Sequence, residues 1–475
     1  MKRNSLATGT LYVTVGSLFF MVSGYLVNIW LGRHLGPRDY GTFGVVQSLW
    51  NAANLILTSG LPQAVTKYIA QDDSHSDSIL RAGLIVQLLS SLSMTLGFFV
   101  LAPYISSLLH DQSLTPYIRL SSLIFLPYSL YALFFAYYSG LHQFGRQTYL
   151  NIFYSVAKMV AAVSLAYLFR INGIFIGYAL APLVTLFAGF HFPVVSAKFS
   201  PKPLLIFSLP IIALTVFSTL AQSVDLFFVK SLMPSKLDTG YYAAIQNIAC
   251  IPYFALSAFS VVLFPSISRH LNSDFAYVRE IITKSSRILL LLLFPMVVLI
   301  SAASPLLIRI LYSSLYLPAA APLSILVFGF GFFTIARTLM NILNGAHQPY
   351  KSVLASAAGV VISSVLCFIL IPRYGLSGAA VSTTIGAFIS AFISYLYVYR
   401  LFDHSVTPGS LFNITFVCLV IYLLAAYTPI STDFRPFYFL LLALIYLPLL
   451  IMVGEITSDE KRLVVNYFNR YLHLL

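Results

Sequence analysis

The chain has 475 residues, of which 59% are hydrophobic and only 9% are charged, and its mean hydropathy is +0.88. Since a soluble domain carries about 25% charged residues, this composition excludes a soluble globular protein. In a soluble protein, the formal net charge of +13 would suggest binding to nucleic acid. Here the basic residues sit mainly at the ends of apolar runs, which favours membrane orientation and anionic lipid as the explanation.

Apolar runs of about 20 residues, the length that crosses a bilayer, recur along the whole chain between Gly and Pro turn signals. They predict about fourteen helices, with centres near residues 21, 55, 90, 129, 159, 183, 217, 254, 292, 331, 361, 388, 420 and 444. The basic start at Lys2 and Arg3 resembles a signal peptide, but residues 11–31 are long enough to span, so we expect the first helix there. Residues 457–475 place Leu463, Tyr467 and Tyr471 on one face, which predicts an interfacial amphipathic helix.

The sequence repeats across its midpoint. Residues 39–49, DYGTFGVVQSL, align with residues 238–248, DTGYYAAIQNI, at one constant offset. Further on, residues 140–143 (GLHQ) are answered by residues 345–348 (GAHQ), and the pair Gly173/Gly177 after Arg170 by Gly375/Gly378 after Arg373. A duplicated membrane bundle is the usual build of a secondary transporter.

The repeat predicts an all-α integral membrane protein with two six-helix lobes. Six spans return the chain to its starting side, so both copies share one orientation and a pseudo-twofold axis along the membrane normal relates them. We expect the N-terminal lobe at residues 1–198, the C-terminal lobe at 199–403, and two extra helices with the tail at 404–475. An excess of Lys and Arg in the loops of one side predicts a multi-pass protein of the cell membrane with both termini in the cytoplasm.

Two cations fall inside predicted spans, where a charge normally faces a wet cavity or a partner. Lys158 lies near the middle of the fifth helix, with Asn151 and Ser155 on its face. It is either a cationic ligand for an anionic substrate or a structural cation bonded to carbonyls or to an acid. Arg337 lies on the tenth helix in a stripe with Asn341. Its guanidinium suits a phosphate, but its place near the cytoplasmic end also permits snorkelling.

Asp225 is the only acid that we place within a span, on the seventh helix. It is either a coupling site for H⁺ or Na⁺, or a salt-bridge partner of Arg33, Lys230 or Lys158. No Gly-rich phosphate loop followed by Lys and Ser or Thr is present, so hydrolysis of ATP is not expected. No motif for a catalytic residue, a metal or a cofactor is present either, and Cys250, Cys367 and Cys418 fall inside apolar spans without metal-ligand spacing. We therefore do not expect an enzyme.

Uncharged polar side chains form a stripe on the second helix, at Gln47, Asn51, Asn54 and Thr58. In a membrane such a stripe faces protein or water, so it either binds sugar hydroxyls or joins helices. Tyr131, Phe135 and Tyr138 share one face of the fourth helix and either stack on a substrate or pack. His142 and His347 occupy equivalent loop positions, where a role in stabilising a turn is favoured over proton transfer.

Residues 31–43, LGRHLGPRDYGTF, resemble the first-loop signature of bacterial and archaeal polysaccharide flippases. These belong to the multidrug/oligosaccharidyl-lipid/polysaccharide exporter superfamily. Residues 225–228 (DLFF) with 240–244 (GYYAA), and residues 345–348 (GAHQ) with 372–380 (PRYGLSGAA), are similar to later signatures of that family. The resemblance covers about the whole chain. It implies twelve to fourteen helices in two lobes, a central cavity, and movement of a polyprenyl-diphosphate-linked oligosaccharide between leaflets.

The resemblance and the charges together give a hypothesis of function. We expect a flippase for a lipid-linked oligosaccharide in surface polysaccharide synthesis, working by alternating access in membrane lipid. Its candidate substrate-binding residues are Lys158, Arg337, Arg33, Gln47, Asn51, Asn54 and Asn341, with Asp225 for coupling. A cation-coupled multidrug or metabolite exporter and a lipid II flippase stay open as alternatives. A polysaccharide polymerase and glycosyltransferases are the expected protein partners. Binding to nucleic acid is not expected.

Overall fold

The computed structural model describes residues 6–193, 199–233, 235–256, 267, 275–403, 408–428 and 434–455, and these residues are almost entirely helical, without a strand. An apolar chain in lipid must satisfy its backbone hydrogen bonds internally, which a helix does within itself. The helices are α1 Leu6–Ser59, α2 Leu61–Gln71, α3 Ser76–Leu108, α4 Thr115–Ser122, α5 Phe125–Gly140, α6 Phe144–Gly189, α7 Lys202–Leu232, α8 Lys236–Ala249, α9 Phe275–Ala302, α10 Ser304–Leu311, α11 Ala320–Gly345, α12 Pro349–Phe402, α13 Pro408–Tyr427 and α14 Arg435–Met452. Short 3-10 turns lie at Asp73–His75, Gln112–Leu114 and Ser314–Ala319.

Three of the helices are too long for one crossing. α1 and α12 have 54 residues and α6 has 46, whereas a bilayer core needs about 20. Each contains one residue with non-helical dihedral angles near its middle: Gly36, Arg170 and Gly375. Each is therefore two spans. Counted in this way, thirteen of the fourteen predicted centres fall inside the described helices. The other, at residue 254, lies in helical residues 251–256, after which the described part of the chain is interrupted. The all-α fold of two six-helix repeats followed by two further helices is confirmed.

The two halves of α6 run antiparallel and in close contact. A Cβ atom added to Gly173 would overlap the carbonyl oxygen of Leu165, and one added to Gly177 would lie 2.8 Å from backbone atoms of Ala161 and Ala162. In α12, a Cβ on Gly378 would likewise overlap the carbonyl oxygen of Leu370. Small residues at these positions let the two backbones approach, as is usual where membrane helices pack.

The structure corrects one part of the repeat alignment. The sequence pairs Arg170 with Arg373, but the non-helical residue that corresponds to Arg170 is Gly375. With that register Gly173 corresponds to Gly378, the offset that also relates His142 to His347. Both histidines have positive φ, 55° and 59°, and each follows the same pattern of backbone hydrogen bonds at a helix end. The alignment was wrong here because it matched residue type, whereas the equivalent positions share a backbone conformation.

The chain divides into two compact units. Unit 1 contains residues 1–247, 311–316 and 367–379, and unit 2 contains residues 248–310, 317–366 and 380–475. The core of unit 1 packs α2, α3, α5 and α6 together, and that of unit 2 packs α9 with α11, α13 and α14. The lobe boundaries at residues 198 and 403 stay predictions. The two units are defined by which residues lie close together, whereas the lobes are defined by the repeat in the sequence. The predicted amphipathic tail lies outside the described residues.

Candidate substrate-binding site

Lys158 lies in the first half of α6, inside unit 1, and its side chain is only 8% exposed. Its ammonium group stands 4.8 Å from the ring centre of Phe20 and 5.6 Å from that of Tyr154. Gly24 leaves room beside it, since a Cβ there would lie 3.9 Å from the Lys158 Nζ. Within the described part of the chain, this ammonium makes no hydrogen bond or ion pair. Lys158 is therefore a buried cation without an anion among the described residues.

An aromatic cluster extends from Lys158 through unit 1, and we define it as Phe20, Trp50, Tyr128, Tyr131 and Tyr154. Tyr154 stacks on Tyr131 with ring centres 4.7 Å apart, and Tyr128 packs edge-on at 5.5 Å from Tyr154. Trp50 in turn packs 5.7 Å from Tyr128. The negative faces of such rings attract a cation, so the cluster partly solvates the Lys158 ammonium.

The two residues predicted to share the face of Lys158 on α6, Ser155 and Asn151, make hydrogen bonds to other groups. Ser155 donates its hydroxyl to the Asn151 carbonyl oxygen at 2.7 Å, which occupies it within its own helix. Asn151 is nearly buried, and its Oδ1 accepts a long hydrogen bond of 3.4 Å from the Tyr131 hydroxyl. Of the predicted aromatic stripe, Tyr131 belongs to the aromatic cluster, whereas Tyr138 donates to the Gly189 carbonyl oxygen at 2.9 Å.

Among the residues that the structure describes, no side-chain hydrogen bond links Gln47, Asn51 or Asn54 on the second half of α1 to another helix. Gln47 is half-buried and Asn51 is exposed, and neither side chain makes a hydrogen bond among the residues that the structure describes. Among the described residues, the buried Oδ1 of Asn54 and the buried indole Nε1 of Trp50 have no hydrogen-bond partner. Since buried polar atoms normally have partners, Asn54 Oδ1 is suited to accept a hydrogen bond from an incoming ligand and Trp50 Nε1 to donate one to it.

Arg337 and Asn341 lie on α11 in unit 2. Arg337 is exposed, donates a hydrogen bond to the Tyr253 hydroxyl, and stands 5.2 Å from the centre of that ring. Asn341 is half-buried. Next to them, Thr334 donates to the Phe330 carbonyl oxygen at 2.8 Å. Tyr253 therefore holds the Arg337 guanidinium while leaving it accessible.

Asp225 on α7 is fully buried within unit 1. Its carboxylate accepts hydrogen bonds from the Tyr242 hydroxyl at 2.8 Å, the Gln246 Nε2 at 2.7 Å and the Leu226 backbone N–H at 2.9 Å. Of the cations considered as its salt-bridge partners, Lys230 instead pairs with Asp111 at 2.6 Å. Asp225 thus joins α7 to α8, the helix that carries the second copy of the repeated motif.

Arg33 lies at the end of the first half of α1 and is exposed. Its Nε donates to the Leu311 carbonyl oxygen at 3.0 Å. Close to it in sequence, Tyr40 and Tyr312 approach at 3.2 Å between their hydroxyls, and Tyr316 donates to the Gly32 carbonyl oxygen at 2.8 Å. Arg33 therefore belongs to the junction between α1 and residues 311–316, and unit 1 does not bring it next to Lys158 in any contact that the structure describes.

Sequence reasoning missed the aromatic cluster around Lys158. Phe20 directly follows Phe19 in an apolar run, and Trp50 has no aromatic residue next to it in the chain. Nothing in the local pattern distinguishes either residue from one facing lipid. It also missed a second group of cations at the other end of unit 1, Arg38, Arg170 and Lys236, which line one cavity. These residues are far apart in the chain, so only the fold brings them together.

Comparison with known proteins agrees with this architecture. A family model described as polysaccharide biosynthesis protein matches residues 30–321, and one described as lipid II flippase MurJ matches residues 209–446. An uncharacterized membrane protein of Methanocaldococcus jannaschii is 26% identical over 416 residues, covering 80% of this chain and 81% of that protein.

Two solved structures have the same fold. The lipid II flippase MurJ in an inward closed conformation is similar with a TM-score of 0.75 at 16% identity, over 96% of this chain and all of that chain. An inward-facing multidrug resistance transporter of the MATE family is similar with a TM-score of 0.70 at 14% identity, over 81% of this chain and 94% of that chain.

The fold, the repeat and these relatives define a multi-pass membrane transporter of the flippase and exporter class, not an enzyme. More than half of the chain matches the first family model. The chain belongs to the polysaccharide biosynthesis protein family, within the multidrug/oligosaccharidyl-lipid/polysaccharide exporter superfamily.

Proposed function

We propose that this protein moves a polyprenyl-diphosphate-linked oligosaccharide across the cytoplasmic membrane by alternating access, for surface polysaccharide synthesis. The observation that carries the proposal is the buried Lys158 ammonium, which has no anion among the described residues. A ligand that brings its own negative charge would complete this site. A diphosphate supplies two such groups close together.

The energy of Lys158 supports a ligand over a structural role. A lysine at the centre of a membrane span costs about 3 kcal/mol on insertion scales. A cation–π contact returns about 0.5 to 2 kcal/mol, and Phe20 and Tyr154 provide two at long range. A structural lysine would be paired with an acid or with carbonyl oxygens. At these distances each contact is at the lower end of that range, so about 2 kcal/mol of the cost remains, which is consistent with a cation held ready for substrate.

The sugars of the substrate have polar and aromatic partners available in unit 1. Trp50 Nε1 is a buried donor and Asn54 Oδ1 a buried acceptor, and neither has a partner in the described part of the chain. Gln47 and Asn51 add accessible amides on the same helix face. Aromatic rings pack well on sugar faces because both are flat and partly apolar. We infer that the aromatic cluster and this stripe contact the glycan.

We propose that an ion gradient drives transport, since the chain carries no ATP-binding motif. Asp225 is the candidate for H⁺ or Na⁺ coupling, because it is a buried carboxylate at a helix junction. The hypothesis that Arg337 also attracts the diphosphate does not depend on Lys158, and it is tested by a separate Arg337→Gln variant.

The test is translocation in proteoliposomes with a fluorescent undecaprenyl-diphosphate oligosaccharide. We expect Lys158→Gln to reduce the rate at least tenfold, with Lys158→Arg retaining more activity because it keeps the charge. Lys284→Gln is the matched control, since Lys284 is exposed and pairs with Glu280 one helical turn away. We expect that variant to transport normally.

The same vesicles decide between the alternatives. Lipid II as cargo tests the lipid II flippase, which the match to the MurJ family model favours, and an organic cation tests the multidrug exporter. Transport of an organic cation but of no diphosphate lipid would contradict the proposal. So would full transport of the oligosaccharide lipid by a folded Lys158→Gln variant.

A further inference from the structure

A cavity of about 480 Å³ lies at one end of unit 1, away from Lys158 along α6. The loops around it are those that the charge bias predicts to be on the outer side. It is lined by the end of the first half of α1, the start of the second half, the bend of α6 and the start of α8. Its polar lining residues are Arg38, Asp39, Thr42, Ser113, Tyr117, Arg170 and Lys236.

The cavity is net positive. Arg38, Arg170 and Lys236 line it with one acid, Asp39. Arg170 Nη2 pairs with Asp39 at 2.6 Å, and Lys236 lies 3.2 Å from Asp111, which also pairs with Lys230. These four cations and two acids leave two positive charges. The Arg38 guanidinium makes no hydrogen bond or ion pair among the described residues.

Arg170 is held in a strained conformation at this cavity. Its dihedral angles are φ 52° and ψ −131°, a region that glycine adopts and other residues rarely do. The other copy of the repeat has Gly375 at the equivalent bend, with φ 57° and ψ −136°. Glycine therefore fits this turn, and arginine at the same turn costs stability. What arginine adds is a guanidinium that reaches the cavity.

The second copy of the repeat lacks the same charges. By the offset that relates the repeated motifs, Arg38 corresponds to Leu237, and Arg170 corresponds to Gly375. Asp39 corresponds to Asp238, so the acid is shared and the two arginines are not. The two arginines are therefore features of the first copy, added to a common scaffold, whereas Lys236 comes from the second copy.

We propose that this cavity binds a phosphate group, with Arg38 and Arg170 as its guanidinium ligands, Lys236 as a third charge, and the Tyr117 hydroxyl as a hydrogen-bond donor. Guanidinium groups bind phosphate oxygens in pairs of parallel hydrogen bonds, which a lysine cannot do. The group belongs either to an anionic phospholipid headgroup or to a free phosphate or diphosphate. The site does not depend on the proposed cargo or on Lys158.

The test uses the full-length purified protein in two arms. In the first, inorganic phosphate and diphosphate are titrated in a neutral detergent by calorimetry. In the second, protein in nanodiscs of phosphatidylcholine with phosphatidylglycerol is examined by native mass spectrometry for retained lipid. Binding in the first arm identifies a free phosphate, and binding only in the second identifies a lipid headgroup.

The variants are Arg38→Gln and Arg170→Gly, with Arg119→Gln as the matched control. Arg119 is an exposed arginine that packs on Phe99 and does not line the cavity. We expect both cavity variants to bind at least tenfold more weakly in the arm where wild type binds, and the control to bind like wild type. Arg170→Gly should at the same time raise the melting temperature, because it relieves the backbone.

Two results would overturn the proposal. One is a wild-type protein that binds in neither arm. The other is binding that Arg38→Gln leaves unchanged. If Arg170→Gly lowers the melting temperature, Arg170 serves the Asp39 pair instead of a ligand, and the strain argument is then overturned whatever the affinity.

Discussion

Gly41 and Gly240, the same position in the two copies of the repeated motif, pack directly on each other within unit 1. A Cβ atom on Gly41 would lie 2.5 Å from the Gly240 backbone nitrogen and 2.8 Å from the Lys236 carbonyl oxygen, and one on Gly240 would overlap the Pro37 carbonyl oxygen. Pro37 and Lys236 are themselves equivalent, so the contact is reciprocal, as in a two-fold interface. The shared motif is thus where the two copies meet, which agrees with a scaffold role.

Adding a methyl group at this crossing should destabilise the protein. We expect Gly240→Ala to cost about 1 to 3 kcal/mol, the usual cost of overpacking a close contact, because backbone on both sides must move. Gly97→Ala is the control, since a Cβ there meets nothing within 4 Å. Melting temperatures of the two variants in the same detergent are the measurement. Equal melting temperatures would contradict the crossing.

Removing the Lys158 charge should stabilise the folded protein although it reduces transport. We expect Lys158→Met to raise the melting temperature, because it replaces an ammonium without an anion by an apolar chain of similar length. If Lys158 had a structural role, Lys158→Met would lower the melting temperature. Differential scanning fluorimetry measures this change without a substrate, and a lower melting temperature for Lys158→Met would show that the ammonium stabilises the fold.

Asp225 and Tyr242 should show energetic coupling. Their hydrogen bond is 2.8 Å long and both side chains are buried, so we expect Asp225→Asn and Tyr242→Phe each to destabilise, and the double variant to lose about 1 to 2 kcal/mol less than the sum. Reversible unfolding in detergent measures the cycle. Tyr446 provides the control cycle, because its hydroxyl donates to the Leu291 carbonyl oxygen and not to Asp225. We expect the effects of Tyr446→Phe and Asp225→Asn on stability to be additive. Additivity in the first cycle would refute the link.

Stability should depend on pH through Asp111. Burial raises the pKa of its carboxyl, but hydrogen bonds from Lys230 and Ser113 outweigh burial and hold the pKa well below its usual value of 3.8. Because the folded carboxylate binds a proton less readily than the unfolded one, its contribution to stability is complete above the unfolded pKa. It is lost as the pH falls through the folded pKa.

The measurement is the melting temperature between pH 7 and pH 3. Wild type should lose more stability on acidification than Asp111→Asn, which has no carboxyl to protonate at this position. At pH 7 the variant should be the less stable of the two, since Lys230 is then buried without its partner at 2.6 Å. Parallel curves for the two proteins would show that the pair contributes nothing.

Particular residues show how far sequence reasoning reached. Local periodicity predicted the position of Lys158 inside a span, its neighbours on the same helix face, and thirteen span centres that fall inside the described helices. The alignment of Arg170 with Arg373 failed, because residue identity does not reveal that Arg170 adopts the backbone conformation of a glycine. Asp225 was correctly placed in a span, but its partners Tyr242 and Gln246 lie 17 and 21 residues away on another helix, outside any local pattern.

The sequence by itself determined the class, the number of spans and the repeat. Span length depends only on the run of apolar residues and the thickness of the bilayer, and the repeat is visible in the order of residues. The tertiary structure alone decided which charges are neutralised. Lys230 meets Asp111 across 119 residues, whereas Lys158 meets only aromatic rings in the described chain. Whether a charge is paired depends on which helices pack side by side, and that is a property of contacts distant in the chain.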